Sequence, residues 1–283
     1  MLLPMKELLL DAQRNNYAIP AINVTNLESI QAVITAAQEE QSPVIVAVYE
    51  GNLDSYISAD LYGEIVRVEA SKVNIPISLH LDHAKTLDKI VQAIRGGFSS
   101  VMIDGSSLPF EGNVAITKQV SQLAHAVGVS VEGEIGHMTT GDELPDSYAE
   151  MQKLMTDPRE AREFVAQTGV DALAVCVGTA HGHYKFPPKI DIERLKEIRS
   201  LTEVPLVLHG GSGTPKEEIR EAIRHGIAKI NVGTDYMLLY TRSISDYFST
   251  HGVQVKPVPT FLEVRERLVE FCREKIREFR DLN

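Results

Sequence analysis

The sequence predicts an α/β protein of the (β/α)8 class, a TIM barrel in which eight parallel strands close inside a ring of helices. Short β-rich runs alternate with amphipathic helical patterns along the chain, eight such runs can be counted, and nearly all of them end in polar residues. Strand–helix alternation requires parallel strands joined by crossovers, and eight units favour a closed barrel over an open, doubly wound sheet.

The expected strands are runs of aliphatic and β-branched residues. In chain order they are residues 18–24, 44–48, 77–82, 100–104, 129–133, 172–177, 206–209 and 229–232. Helical patterns at 27–40, 87–95 and 216–225 place an apolar stripe on one face, which suits packing against a sheet. An amphipathic first helix is expected within residues 1–11, and a charged amphipathic helix from Phe261 onward.

Composition narrows the class of protein. The 283 residues include 28 Lys+Arg and 39 Asp+Glu, a net charge of −11, which argues against nucleic-acid binding. A run of about 18 apolar residues, as a membrane span needs, is missing. With no signal-peptide pattern and two distant cysteines, Cys176 and Cys272, we expect a cytoplasmic protein with reduced thiols. No linker interrupts the chain, which predicts one barrel domain, 1–283, with a C-terminal helical extension at about 260–283.

Polar side chains collect where the predicted strands end, which is where parallel barrels carry their active sites. These strand-end residues are Asn23, Asp82, His83, Asp104, Glu132, Glu134, His181, His209 and Asn231. Three histidines that leave one position open form a catalytic metal set, and zinc is the usual metal for imidazole. The alternative is that each histidine is satisfied separately, and sequence spacing alone does not decide between them. His80 shares the inward parity of Asp82 and is expected to support the site from one layer below.

Glycine-rich segments follow the last two strands. Residues 210–213 read GGSG and residues 231–234 read NVGT, and each segment opens a helix. Glycines let backbone N–H groups approach an anion, and a helix N-terminus favours negative charge. Because the loops after strands seven and eight are the recurrent phosphate site of barrels, the pair predicts phosphate binding.

Six segments carry a resemblance to a known family, and they are 79–83 (LHLDH), 100–106 (SVMIDGS), 131–136 (VEGEIG), 178–182 (GTAHG), 206–213 (LVLHGGSG) and 229–232 (KINV). With these segments in this order along the chain, the sequence resembles the class II, zinc-dependent aldolases of ketose phosphates, including the fructose- and tagatose-bisphosphate enzymes. The resemblance implies reversible cleavage of a ketose 1-phosphate or 1,6-bisphosphate into dihydroxyacetone phosphate and an aldehyde such as glyceraldehyde 3-phosphate.

The resemblance also implies roles for individual residues. His83, His181 and His209 would hold zinc, and Asp82 would shuttle a proton on the hydroxyl at the aldehyde carbon. Asp104 and Glu134 match positions that can hold a second divalent ion, or they support the histidines. The substrate-binding candidates are Asn23, Gly182, Gly210, Gly211, Ser212, Asn231, Val232, Gly233 and Thr234. The family also implies Na⁺ or K⁺ near the phosphate and a homo-oligomer, a dimer or tetramer.

The chain departs from the family pattern at three places. The segment after Glu134 differs from the family pattern, so the base for the enolising proton could be Asp142 or Glu143. The alignment of this segment does not decide between them, and both could instead be solvated charges of the loop. Tyr49 replaces the usual serine after strand two, and residues 256–260 (KPVPT) lack the arginine that meets the far phosphate. An alternative substrate is therefore a ketose 1-phosphate whose aldehyde half carries no phosphate, for example a sulfo-, deoxy- or acid-bearing aldehyde.

Two further interpretations stay open from the sequence. Lys229 shares strand parity with Asn231 and could form a Schiff base, although a lysine at that depth is more often buried and paired. The non-enzymatic alternative is a barrel that binds a phosphosugar without catalysing a reaction. In that case Asp82 and the three histidines would have no assigned role.

Overall fold

The structure is a computed structural model that describes residues 1–137, 147–180, 182, 188–253 and 256–280. Its strands are β1 (Ile19–Asn23), β2 (Val44–Tyr49), β3 (Ile77–Ala84), β4 (Ser100–Ile103), β5 (Ser130–Ile135), β6 (Ala172–Val175), β7 (Leu206–Leu208) and β8 (Ile227–Val232). Neighbours in sequence pair in parallel, and β1 also pairs with β8, which closes the barrel. This confirms the predicted (β/α)8 fold.

Helices surround the barrel and connect its strands. In chain order they are α1 (Met5–Asn15), α2 (Leu27–Glu39), α3 (Gly51–Ser55), α4 (Ala59–Ala70), α5 (Leu87–Arg95), α6 (Phe110–His125), α7 (Tyr148–Leu154), α8 (Pro158–Thr168), α9 (Ile192–Leu201), α10 (Lys216–Arg224), α11 (Thr234–His251) and α12 (Val258–Arg280). The long α12 packs against α2 and α11 on the barrel wall. None of the helices in the described ranges is long and apolar enough to cross a membrane.

Helix α1 closes the end of the barrel where the strands begin. Its buried residues Met5, Leu8 and Leu9 form one apolar cluster with inward-facing strand residues such as Ala21 and Ala47. The helix begins later than the sequence pattern indicates. Residues 1–3 instead run beside β3, where the Leu3 amide donates to the Ile77 carbonyl, and Pro4 then caps the helix.

An irregularity in β3 governs the opposite end. Consecutive strand residues normally point to opposite faces, yet both Asp82 and His83 line the cavity at the strand's end. The β3–β4 register shifts between Leu81 and Ala84, and His83 has a φ of 56°. A left-handed backbone at a non-glycine residue costs on the order of 1 kcal/mol, and such strain concentrates at functional sites. The bulge turns two adjacent side chains toward one point.

Candidate active site

A cavity of about 650 Å³ opens at the end of the barrel where the strands finish. Its described lining residues come from all eight strand ends or the loops that follow them. They are Asn23, Tyr49, Asp82, His83, Lys85, Asp104, Ser106, Ser107, Glu134, His137, Gly182, Gly210, Ser212, Asn231, Gly233 and Thr234. Most of the residues predicted from the strand ends therefore share one cavity, as the C-terminal face of a barrel allows.

His83 is held by a buried carboxylate. Its Nδ1 lies 3.0 Å from Asp104 Oδ2, so Nδ1 carries the hydrogen and donates it to the carboxylate. Burial by itself lowers the pKa of His83, but the charge of Asp82 and the hydrogen bond to Asp104 outweigh burial and raise that pKa to about 9. The surroundings of His83 thus favour a positive charge, which a proton or a metal ion can supply.

His209 is held in the same manner from below. Its Nε2 lies 2.9 Å from Glu132 Oε1 and donates to it, which directs Nδ1 toward Glu134 Oε2 at 3.4 Å. Burial raises the pKa of Glu132, but Lys229 and the hydrogen bond from His209 lower it to about 2, so the carboxylate is ionised. Histidines that bind metals in proteins usually donate their second ring N–H to such a carboxylate.

Asp82 lies between two amides. Its Oδ2 accepts from Asn23 Nδ2 at 2.7 Å and its Oδ1 accepts from Asn231 Nδ2 at 3.2 Å. Burial raises the pKa of Asp82, but the neighbouring His83 and Lys229 charges hold it well below the usual range. Asp82 is therefore an oriented, ionised carboxylate that can take up a proton from a bound hydroxyl.

The donor atoms of Asp82, His83 and His209 can meet at one ion. One ligand atom from each lies within 4.8 Å of the others, and the two imidazole rings are 4.7 Å apart at an angle of 77°. Glu134 is 1 % exposed, and neither of its carboxylate oxygens has a hydrogen-bond partner among the described residues. Burial disfavours the charge of this carboxylate and raises the pKa of Glu134, and a cation at this point would stabilise that charge. The residues present therefore fit a divalent metal ion.

A fully buried layer supports these groups from beneath. Lys229 Nζ lies 2.9 Å from Glu132 Oε2 and 2.6 Å from Asn231 Oδ1, and all three side chains are almost completely buried. Lys229 is thus paired below the cavity rather than exposed to a substrate carbonyl. His80 Nδ1 lies 2.8 Å from Ser100 Oγ. Burial, followed by the charge of Lys229, lowers the pKa of His80 to about 4, so its ring is neutral.

The glycine-rich loops form the side of the cavity nearest α11. Gly210 has a φ of 70°, and a Cβ there would lie 2.3 Å from the Ala180 carbonyl oxygen, so only glycine fits. Ser212 Oγ accepts from the Asp235 amide at 3.1 Å and ties the two loops together. The cavity lining contains neither Gly211 nor Val232 of the predicted substrate residues, and Val232 is completely buried.

Three predicted residues, His181, Asp142 and Glu143, lie outside the described residues. The structure adds cavity residues that the sequence analysis does not single out: Lys85, Ser106, Ser107 and His137. Lys85 could have been found from its position two residues after His83, in the loop that follows the same strand. Ser107 and His137 carry no comparable signal, because polar residues are common in any loop.

Comparisons with known proteins agree with this geometry. The family model described as fructose-bisphosphate aldolase class-II matches residues 3–283. Fructose-bisphosphate aldolases from Staphylococcus aureus (strain Mu50) and Staphylococcus epidermidis are each 42% identical over 282 residues, which is 98% of this chain and 97% of theirs. The crystal structure of the YdjI aldolase from Escherichia coli K12 is 34% identical, with a TM-score of 0.88 over 99% of this chain and 97% of that one.

Proposed function

The chain belongs to the class II fructose-bisphosphate aldolase family, and we propose that it uses zinc, held by His83, His181 and His209, to cleave a fructose- or tagatose-type ketose phosphate. As a class II aldolase it is a metal-dependent lyase that releases dihydroxyacetone phosphate and an aldehyde. The observation that carries the proposal is the pair of histidines, each held through one ring nitrogen by a carboxylate, beside an ionised Asp82.

Zinc is the proposed metal because two imidazoles with carboxylates behind them, and a third imidazole from His181, suit that ion. When bound, the ion supplies Lewis-acid polarisation of the substrate's ketone oxygen. The protein's part is to keep His83 Nδ1 and His209 Nε2 protonated through Asp104 and Glu132.

Asp82 is the proposed proton shuttle for cleavage. Its carboxylate takes the proton from the hydroxyl of the carbon that becomes the aldehyde, and the carbon–carbon bond breaks with its electron pair left on the dihydroxyacetone phosphate half. Asn23 and Asn231 fix both oxygens of Asp82, so the carboxylate keeps its orientation through the reaction. The carbanion carbon then takes a proton from a second acid, for which Asp142 and Glu143 are the proposed candidates.

The phosphate of the dihydroxyacetone half is proposed to bind beside α11. Gly182, Gly210, Ser212, Gly233 and Thr234 line that side of the cavity, and the 18-residue helix α11 begins there at Thr234. A helix N-terminus and closely approached backbone amides suit a phosphate. We also propose Na⁺ or K⁺ near this phosphate, as in the family.

The aldehyde half of the substrate would meet different side chains from those of the family pattern. Tyr49 lines the cavity with a half-exposed ring, and none of the residues 256–260 reaches the lining. This observation favours the second candidate function, cleavage of a ketose 1-phosphate whose aldehyde half carries no phosphate. We further propose one domain over 1–283, a homo-oligomer, and a cytoplasmic location.

The test is release of dihydroxyacetone phosphate from a panel of ketose phosphates. The panel holds fructose and tagatose 1,6-bisphosphates and their 1-phosphates, each assayed before chelation, after EDTA and after zinc is restored. A bisphosphate preference that disappears with EDTA and returns with zinc supports the first candidate, and a 1-phosphate preference supports the second. Binding of every sugar without turnover would contradict both, as would EDTA-resistant turnover with borohydride trapping of the substrate, since only an imine is trapped.

A further inference from the structure

The carboxylate of Asp104 is fully engaged by protein donors. Its Oδ2 accepts from His83 Nδ1 and from Lys85 Nζ, while its Oδ1 accepts from the Ser106 amide at 3.1 Å and Ser106 Oγ at 2.6 Å. A carboxylate has about four lone-pair sites, so these four donors use its acceptor capacity. Asp104 is therefore committed to holding His83 and has little left to offer a metal ion.

Lys85 supplies the positive charge on the outer side of Asp104. Its side chain lines the cavity, is 51% exposed, and forms an ion pair with the 6% exposed Asp104. The backbone also fixes this segment, because the Lys85 amide donates to Glu50 Oε2 at 2.9 Å. An ammonium group in direct contact with Asp104 neutralises its charge and repels any divalent ion that approaches the same carboxylate.

Glu134 is the other carboxylate that a second divalent ion could bind. It lies in the same cavity as Asp104, is 1 % exposed, and neither of its carboxylate oxygens is hydrogen-bonded among the described residues. Without Lys85 the two carboxylates would form an acidic pair open to a divalent cation. With Lys85 in place, one member of the pair already has its cation.

We propose that the Lys85 ammonium group occupies the outer face of Asp104 and thereby limits this site to one divalent ion. The inference rests on the proposed metal site at His83 and His209. It makes Lys85 the residue that sets metal stoichiometry, with Asp104 as a positioning residue for His83 rather than a metal ligand.

Metal counting on matched variants tests this. The chelated full-length protein is dialysed against buffered zinc, and bound zinc per chain is counted by mass spectrometry for wild type, Lys85→Met, Lys85→Arg and Lys72→Met. Lys72 is the control, because it is also a half-exposed lysine (57% exposed) in an ion pair, with Glu69, at the opposite end of the barrel. Lys85→Arg keeps the charge and Lys85→Met keeps the bulk of the side chain.

The expected result is one zinc per chain in wild type, Lys72→Met and Lys85→Arg. Lys85→Met is expected to bind a second ion, and the dissociation constant of that second ion should be lower than in wild type by about tenfold or more. Loaded with Mn²⁺ instead, Lys85→Met should give the spin-coupled spectrum of two neighbouring ions, which excludes binding at a distant acidic surface.

Three results would overturn the inference: two ions in wild type, a single ion in Lys85→Met, or a second Mn²⁺ that is magnetically isolated. Each of them leaves the proposed aldolase function standing. A wild-type protein that binds no ion would remove the proposed function and the inference together.

Discussion

The two ends of this barrel are built from opposite chemistry. The end where the strands begin is closed by α1, whose Met5 and Leu9 pack on small inward-facing residues such as Ala21 and Ala47. At the other end, the fully buried Lys229 and Glu132 form an ion pair beneath the cavity. Apolar packing stabilises in proportion to buried area, whereas a buried ion pair contributes little net stability. The closed end therefore stabilises the fold, whereas the open end orients charged side chains at little gain in stability.

Asp82→Asn should show the largest effect on kcat and the clearest contrast with a substitution at the closed end. An amide cannot take up the hydroxyl proton, so kcat should fall by about 10²–10⁴-fold, while the fold remains and the proposed histidine ligands still hold the metal. Asp11→Asn, on α1 at the closed end, is the control and should keep full activity. Steady-state kinetics with metal analysis measures both, and an active Asp82→Asn enzyme would contradict the assigned role.

Lys229→Met tests whether the buried layer acts as one charge network. Removing the cation leaves the charge of the buried Glu132 with the hydrogen bond from His209 but without its ion-pair partner, which should lower the free energy of unfolding by about 3–5 kcal/mol. The double variant Lys229→Met/Glu132→Gln should recover much of that loss, because residue 132 then carries no charge. Zinc affinity in the double variant should fall by about 10–100-fold, since His209 loses its carboxylate.

Denaturant unfolding and competition with a chelator measure these two quantities. Equal stability of the single and double variants would show that Lys229 and Glu132 are not energetically coupled, and the charge network would have to be abandoned.

Leu9→Ala probes the closed end alone. Leu9 is completely buried among apolar residues, so the truncation should cost about 3 kcal/mol in the free energy of unfolding. Below the unfolding transition kcat and zinc affinity should stay unchanged, because the helix lies at the far end of the barrel. A drop in kcat with an intact fold would mean that the two ends are coupled.

The most gradual effect is a pH dependence of stability that comes from His80. Its pKa is about 4 in the folded protein and about 6.5 when unfolded. Between pH 6.5 and 4 the unfolded chain takes up a proton that the folded protein excludes, so stability falls as pH falls, by up to about 3 kcal/mol. Chemical unfolding of the metal-free protein should show this slope, and His80→Gln should flatten it. An unchanged slope in His80→Gln would assign the dependence to other groups.

Much of the fold could be predicted because strand–helix alternation is a local pattern. The eight strands lie where the β-rich runs occur, with ends that differ by a few residues, as β3 does in extending to Ala84. The start of the first helix is harder to predict, because the pairing of Leu2 with Ile77 is a long-range contact that no local pattern reports.

For the site, the sequence predicts only which residues lie at the strand ends, not how their side chains are arranged. Parity within a strand could not place Asp82 and His83 on the same side, since that depends on a bulge and the positive φ of His83. The sequence also does not show that Lys85 and Ser106 donate hydrogen bonds to the Asp104 carboxylate, because these contacts depend on loop conformation.

Anomalous diffraction at the zinc absorption edge, from crystals of the zinc-loaded protein, would locate the bound ion and so test the proposed histidine ligands. One strong peak is expected at the open end of the barrel, about 2.0–2.1 Å from ring nitrogens of His83, His181 and His209. Rings that point in different directions, or a peak bound elsewhere on the protein, would contradict it.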